Sequence, residues 1–341
     1  MKPVASFFLL LLISTLLSCK ENNRNLVNST YKIQENDFSE IDSLKSTPLS
    51  QISDSLFIPT TLTVVDDHLI ISERTGDSLL HLINLENNKR EEYLGRYLRK
   101  GDGPKEARLA WKLFPIGKKD FGLYDADLRK VMRFYVDSLI MTNESTEEFQ
   151  LDFYGNGISI LDSNFYYLNA NDRSSRFFAK NISNGKVKGF GSLPKLKNDK
   201  YIQDERDKNY QLEFARLERF EQRFLITYYN IPYLEIYDLK KKSQIGIEWF
   251  DPMPGPKELG RRTYFASGQI LDNKIYLLSM AGNPNARPRN NEIFVLDSEG
   301  NPLQKLVLDT NIFEFQVYND IIFALTSDTN SSDFQLIKFR M

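Results

Sequence analysis

The sequence predicts an all-β fold built from six repeated units, and three observations carry that prediction. Aromatic residues make up 13% of the 341 positions, led by 24 Phe and 17 Tyr, a bias that suits strands better than helices. Short apolar strands recur in pairs around polar turns at a near-constant interval. The last unit stops one strand short, and the segment from Tyr31 to Phe57 offers the missing strand.

The pairs run in order through Leu62–Ser72, Lys112–Tyr124, Ile158–Leu168, Leu217–Tyr228, Gly268–Leu278 and Phe315–Leu325. Their turns centre on Asp66, Gly117, Asp162, Glu221, Asp272 and Asn319, spaced by 51, 45, 59, 51 and 47 residues. Asp, Asn and Gly tolerate the positive φ or supply the local side-chain bonds that tight hairpins need. Most units carry a second hairpin, such as Leu79–Asn84 with Arg90–Leu94, or Glu292–Leu296 with Leu303–Leu308. Four strands per repeat at this period is the arithmetic of a propeller blade. The final unit ends after a third strand, Phe334–Phe339, so an N-terminal strand would close the ring and protect the sheet edges. The expected architecture is a six-bladed β-propeller over residues 31–341; a two-domain array of β-sandwiches is the competing arrangement. The charged stretch Pro194–Phe214 explains the widest turn spacing and is expected to cross one face.

Upstream, Lys2 gives a positive start, Val4–Leu17 is an almost unbroken apolar run, and Ser18 is small. Together they predict a signal peptide over residues 1–18, cleaved before Cys19. The apolar run is short for a helix crossing a hydrocarbon core of roughly 30 Å. Cys19 is the only cysteine in the chain and stands at the cleavage point, so it is the expected lipidation site of a lipoprotein. A diacylglycerol with an amide-linked palmitate-type chain makes a stable membrane anchor. Residues 19–30 are polar and aperiodic, as expected for a flexible tether. The expected location is the cell envelope, with the outer membrane and its surface as the specific address. Lacking other cysteines, the body has no disulfide framework and no thiolate nucleophile or metal site.

Residues Ile71–Leu85, continuing through Leu94-Gly95-Arg96 to Lys100-Gly-Asp-Gly-Pro-Lys-Glu106, resemble the TolB-like six-bladed propeller lipoproteins of Bacteroides-type bacteria. In that family the first blade ends in a Gly-Arg segment followed by a Gly-x-Gly-Pro-x-Glu loop, here Gly101, Gly103, Pro104 and Glu106. The resemblance implies a lipid-anchored propeller and supplies no catalytic residues. Lys20-Glu21 after the cysteine is similar to surface-export signals of such lipoproteins.

Gly-Pro-Lys-Glu recurs three units later at Gly255, Pro256, Lys257 and Glu258, which would place the two loops opposite each other across the ring. Loops between blades share a face with the loops between the two middle strands. Arg99, Lys100, Lys105, Lys257, Arg261, Arg262, Arg287 and Arg289 are expected there, with Arg129, Arg173 and Arg176. One reading is a basic funnel for an anionic glycan, peptide or partner protein. The other is that Gly-Pro fixes tight crossings while Asp102, Glu106, Asp125, Asp127 and Glu258 neutralise solvated cations.

The formal charge of −2 gives no global attraction to nucleic acid, and no nucleic-acid partner is expected. Only His68 and His81 occur, both in expected strands of the first unit, so a two-His zinc motif is absent and no metal or cofactor is implied. No nucleophile elbow, P-loop or dinucleotide fingerprint appears. The chain therefore reads as an envelope binding module. The alternative is a propeller hydrolase or lyase using axial carboxylates, with Asp125-Ala-Asp127 as a weak Ca²⁺ candidate.

Overall fold

The computed structural model of the protein describes residues 25–53, 55–85, 91–169, 171–197, 214–253, 263–280, 291–327 and 333–341. Three short N-terminal strands come first: β1 (Tyr31–Lys32), β2 (Glu40–Leu44) and β3 (Ser46–Pro48). Blade 1 follows as β4 (Pro59–Val65), β5 (His68–Glu73), β6 (Ser78–Asn84) and β7 (Glu92–Arg99). Blade 2 holds β8 (Ala110–Pro115), β9 (Asp120–Asp125), β10 (Lys130–Tyr135) and β11 (Glu147–Gln150). Blade 3 is β12 (Asn156–Leu161), β13 (Asn164–Leu168), β14 (Phe177–Asn181) and β15 (Val187–Phe190). Blade 4 is β16 (Ala215–Phe220), β17 (Arg223–Tyr228), β18 (Tyr233–Asp238) and β19 (Ser243–Glu248). Blade 5 is β20 (Phe265–Leu271), β21 (Lys274–Ser279), β22 (Glu292–Asp297) and β23 (Pro302–Leu308). Blade 6 has β24 (Glu314–Tyr318), β25 (Ile321–Ser327) and β26 (Phe334–Arg340).

Each blade is an antiparallel meander whose first strand lies at the centre. The inner strands β4, β8, β12, β16, β20 and β24 touch in that order, and β24 returns to β4. The protein is thus a six-bladed β-propeller. Two-residue hairpins join the first two strands in five blades, closing the pairs Val65–His68, Leu161–Asn164, Phe220–Arg223, Leu271–Lys274 and Tyr318–Ile321. Four of these turns hold both central residues at positive φ: Asp66-Asp67, Asp162-Ser163, Asp272-Asn273 and Asn319-Asp320. That conformation matches the right-handed twist of the paired strands.

The expected closing strand is present, and it does not come alone. β3 pairs antiparallel with β26 as the fourth strand of blade 6. Before reaching it, the same segment adds β1 parallel to β19 and β2 parallel to β23, so blades 4 and 5 each gain a fifth strand. This belt is held by apolar anchors: Leu26, Ile33 and Phe38 are all buried. Phe38 meets Phe294 edge-on at 4.9 Å and Trp249 at 5.9 Å.

The belt also corrects the tether. Residues 25–30 were expected in the flexible segment 19–30, but they dock between blades 3 and 4. Leu26 has 0% exposure, and the backbone amides of Asn25 and Leu26 donate to the Glu248 carboxylate at 2.9 and 2.7 Å. Val27 N–H donates to Lys195 O and Lys197 N–H to Asn25 O. Local polarity misled here, because the segment is fixed by one buried leucine and by backbone bonds whose partners, Glu248, Lys195, Lys197 and Gly246, are distant in sequence. Cys19 and residues 20–24 lie outside the described residues, as do 198–213 within the charged crossing.

The core is divided into six apolar clusters, one at each seam between blades. Aromatic rings dominate the seams of blades 3/4 and 4/5; Phe177, for example, lies 5.0 Å from Phe190 and 4.9 Å from Tyr237. A short helix, Val136–Thr142, interrupts blade 2 between its third and fourth strands. Asn143 ends it in the left-handed region and accepts the Leu98 amide at 2.7 Å, tying the helix to the outer strand of blade 1.

Candidate functional site

Every inner strand begins where a crossing from the preceding blade arrives, so one face of the ring carries all the crossings. At that face four inner strands are bulged. The register slips at Thr60-Thr61 in β4, Trp111 in β8, Gly157 in β12 and Ala266 in β20. A bulge re-aims a side chain relative to its ladder, and bulges concentrate next to functional sites. Trp111 is the clearest case: it interrupts the ladder and is 50% exposed. Gly157 takes φ +68°, and a Cβ there would sit 3.0 Å from the Leu217 backbone nitrogen, so blade 3 approaches blade 4 closely only with glycine.

On the same face stand Phe57 and Ile58 before β4, Trp111, Tyr154 before β12, and Phe214 before β16, all exposed. Four consecutive blades each present an aromatic ring. Arginines flank them: Arg96 lies 5.9 Å from the Phe57 ring and Arg129 5.3 Å from that of Tyr154. Phe214 packs on Tyr229 at 4.6 Å. Sequence reasoning passed over these residues because they lie in crossings and in a bulge, where no strand period marks them. The available signal was an aromatic residue within two positions of each inner strand's start.

Below the mouth, polar side chains bridge the channel in three tiers. Nearest the mouth, Arg216 of blade 4 reaches Glu314 of blade 6 at 2.7 Å and bonds Tyr229 OH, while Ser267 of blade 5 donates to Glu314. Burial opposes the Arg216 charge, yet Glu314 and the other acceptors outweigh it and hold its pKa above the ordinary value. In the middle, Lys112 of blade 2 spans to Leu217 O and to Glu218 at 2.9 Å. At the far end Arg219 donates to Ser159 at 2.9 Å and to the carbonyls of Pro115 and Ile116. The axial carboxylates Glu218 and Glu314 are therefore each engaged by a cation. Among the described residues, no three His, Cys, Asp or Glu side chains gather as a metal site.

The predicted basic residues of the first crossing lie elsewhere. Lys105 pairs with Glu144 through its ammonium and with Glu148 through its amide, both near the outer strand of blade 2. Arg99 is 3.4 Å from Glu106, and Lys100 donates to Arg74 O. These groups sit toward the rim rather than around the axis. The loop motif has a physical reason. Glu106 folds back so that its carboxylate accepts the Gly103 amide at 3.0 Å, and a Cβ on Gly101 would clash with it at 2.1 Å. Asp102 binds Arg108 through two bonds that lower its pKa. Asp125 is turn chemistry, accepting the amides of Arg108 at 2.6 Å and Leu128 at 3.0 Å. Arg176, expected on the open face, is buried beside Glu235 at 3.7 Å and over the Tyr228 ring at 4.7 Å. Gly255, Pro256, Lys257, Glu258, Arg261, Arg262, Arg287 and Arg289 lie outside the described residues.

Comparison with known proteins agrees with this architecture. An exported protein of Bacteroides fragilis, 12% identical, covers 88% of this chain and 98% of its own with a TM-score of 0.55. The structure of U3-55K, 10% identical, covers 84% and 96% with a TM-score of 0.51. At such identities the likeness concerns the fold alone. No curated protein matches the chain in sequence. A family model described as TolB-like 6-blade propeller-like matches residues 37–320, from the belt to the first hairpin of blade 6. With that span and six blades in a closed ring, the protein belongs to the TolB-like six-blade propeller family.

Proposed function

We propose that this protein is a lipid-anchored envelope module that binds a partner protein or peptide on its crossing face. The observation that carries the reading is the set of exposed rings, Phe57, Trp111, Tyr154 and Phe214, displayed on the crossing face by four successive blades. Trp, Tyr and Arg are the side chains that dominate binding energy at protein interfaces, and this face carries Trp111 and Tyr154 with Arg129 over its ring. The signal and Cys19 support anchoring, and the B. fragilis neighbour is described as exported. A basic funnel for anionic glycans has weaker support, since Arg99 and Lys105 already face acids. An axial hydrolase or lyase would need a carboxylate that Arg216 or Lys112 does not hold.

The test places a photo-crosslinking residue at Trp111, or at Asp272 in a hairpin of the opposite face, in intact cells. A discrete adduct from position 111 alone is expected, competed by the untagged wild-type chain. Adducts of equal yield from both positions, or none from 111, would refute the assignment of the face.

A further inference from the structure

The seam where the belt closes the ring contains a cavity of about 150 Å³ that the binding face does not use. Its wall combines the closing strand (Thr47, Pro48), the strap that follows it (Leu49, Ile52), and Ile83, Glu91 and Tyr93 of blade 1 with Lys338 of blade 6. The apolar members are the floor: Ile52 is 1% exposed and Ile83 2%. The ionisable members are an acid, a base and a phenol, and Thr47 and Gln51 add a hydroxyl and an amide to the wall. The Lys338 ammonium donates to the Glu91 carboxylate, and each side chain keeps 25% exposure. Burial disfavours the Glu91 carboxylate, but the Lys338 bond outweighs that and lowers its pKa, so Glu91 is ionised at neutral pH. Behind the wall, Tyr93 OH is fixed by His81 Nδ1 at 2.9 Å, and His81 Nε2 lies 3.4 Å from Glu73. The phenol is therefore held in place before anything binds.

We propose that this cavity is a binding site for a small apolar zwitterion, an aliphatic α-amino acid. Charge balance selects the class. A lone anion entering the cavity would compete with Glu91 for Lys338, and a lone cation would compete with Lys338 for Glu91. Either leaves one partner unmatched in a half-buried site, which is costly. A zwitterion inserts between the two, its carboxylate toward Lys338 and its ammonium toward Glu91, converting one ion pair into two. An aliphatic side chain then covers Leu49, Ile52 and Ile83. Size agrees as well: the volume is about five waters' worth, the scale of one small amino acid. Because the wall is built from the closing strand, blade 6 and blade 1, an occupant would tie the ring's seam together and raise stability by mass action.

The test uses the full mature chain with L-leucine as probe, read by thermal unfolding and isothermal titration. Two analogues share the side chain: 4-methylpentanoate, which lacks the ammonium, and 3-methylbutylamine, which lacks the carboxylate. L-leucine is expected to raise Tm in a saturable way and to bind at least tenfold tighter than either analogue. Glu91→Gln should remove the preference over 4-methylpentanoate, and Lys338→Met the preference over the amine. Should either variant misfold, the wild-type comparison decides by itself. No titratable heat and no Tm shift with L-leucine, or an analogue binding as tightly as leucine, overturns the proposal.

Discussion

The two halves of the ring solve the edge-strand problem differently. One continuous piece of the chain's own N-terminal segment covers the outer strands of blades 4 and 5 and supplies the outer strand of blade 6, in parallel, parallel and antiparallel pairing. Among the described residues, blades 1, 2 and 3 end in β7, β11 and β15 with no further strand. Here protection is local. The helix Val136–Thr142 leans on β7, while β11 and β15 are only four residues long and carry Glu147, Glu148 and Lys188. Short, charged edges discourage pairing with other chains. The exposed rings of the crossing face belong to blades 1 to 4, so most of the proposed binding surface sits on the unbelted half. Reinforcement and the proposed recognition surface are largely separated around the ring.

Deleting residues 20–48 is the strongest way to break that contrast. It removes the fourth strand of blade 6 and the anchors Leu26, Ile33 and Phe38. We expect loss of the cooperative thermal transition and self-association, with amide exchange quickening first in blades 4 to 6. An unchanged Tm would show that the belt contributes nothing to closure. A gentler probe is Phe38→Ala, which empties the space against Phe294 and Trp249 and should cost about 3–5 kcal/mol by denaturant titration. A cost near zero would mean that the belt lies on blade 5 without packing into it.

The smallest effect concerns Glu73, which stands where the two halves meet. It accepts the amides of Phe57 and Ile58, the residues that lead from the strap into blade 1. Burial works against its charge, but His81 and those two amides outweigh burial and hold its pKa below the ordinary 4.5. A depressed folded-state pKa contributes stability above the ordinary value that is lost as pH falls through the folded one. Wild-type stability should therefore decline below about pH 4.5, and Glu73→Gln should flatten that acid limb while lowering stability at neutral pH. Parallel acid limbs in both proteins would remove Glu73 as a contributor.

Much of this architecture was legible because hairpin chemistry is local. Asp66, Asp162, Asp272 and Asn319 announce tight turns by their own tolerance of positive φ, and the repeat spacing follows from them. The missing strand of blade 6 was legible as an arithmetic deficit. The two parallel strands of the belt were not, since a sheet edge that accepts a fifth strand leaves no mark in the blade's own sequence. The site was less legible still. Trp111 lies in a bulge, and Phe57, Tyr154 and Phe214 in crossings, so none follows a strand period. The visible charges drew attention instead, although Arg99 and Lys105 are balanced by acids that arrive only in three dimensions.

The pairing of β3 with β26 joins Thr47 to Lys338, almost the full length of the chain. Contacts this distant in sequence must await the end of synthesis, and they are slow because loop closure precedes any reward. The first blades can assemble from neighbouring hairpins, whereas the strand that completes the sixth is made before any of them. On the export route proposed above, a chain that cannot close its ring until its last residues appear would cross the membrane open and acquire its finished shape only on the far side.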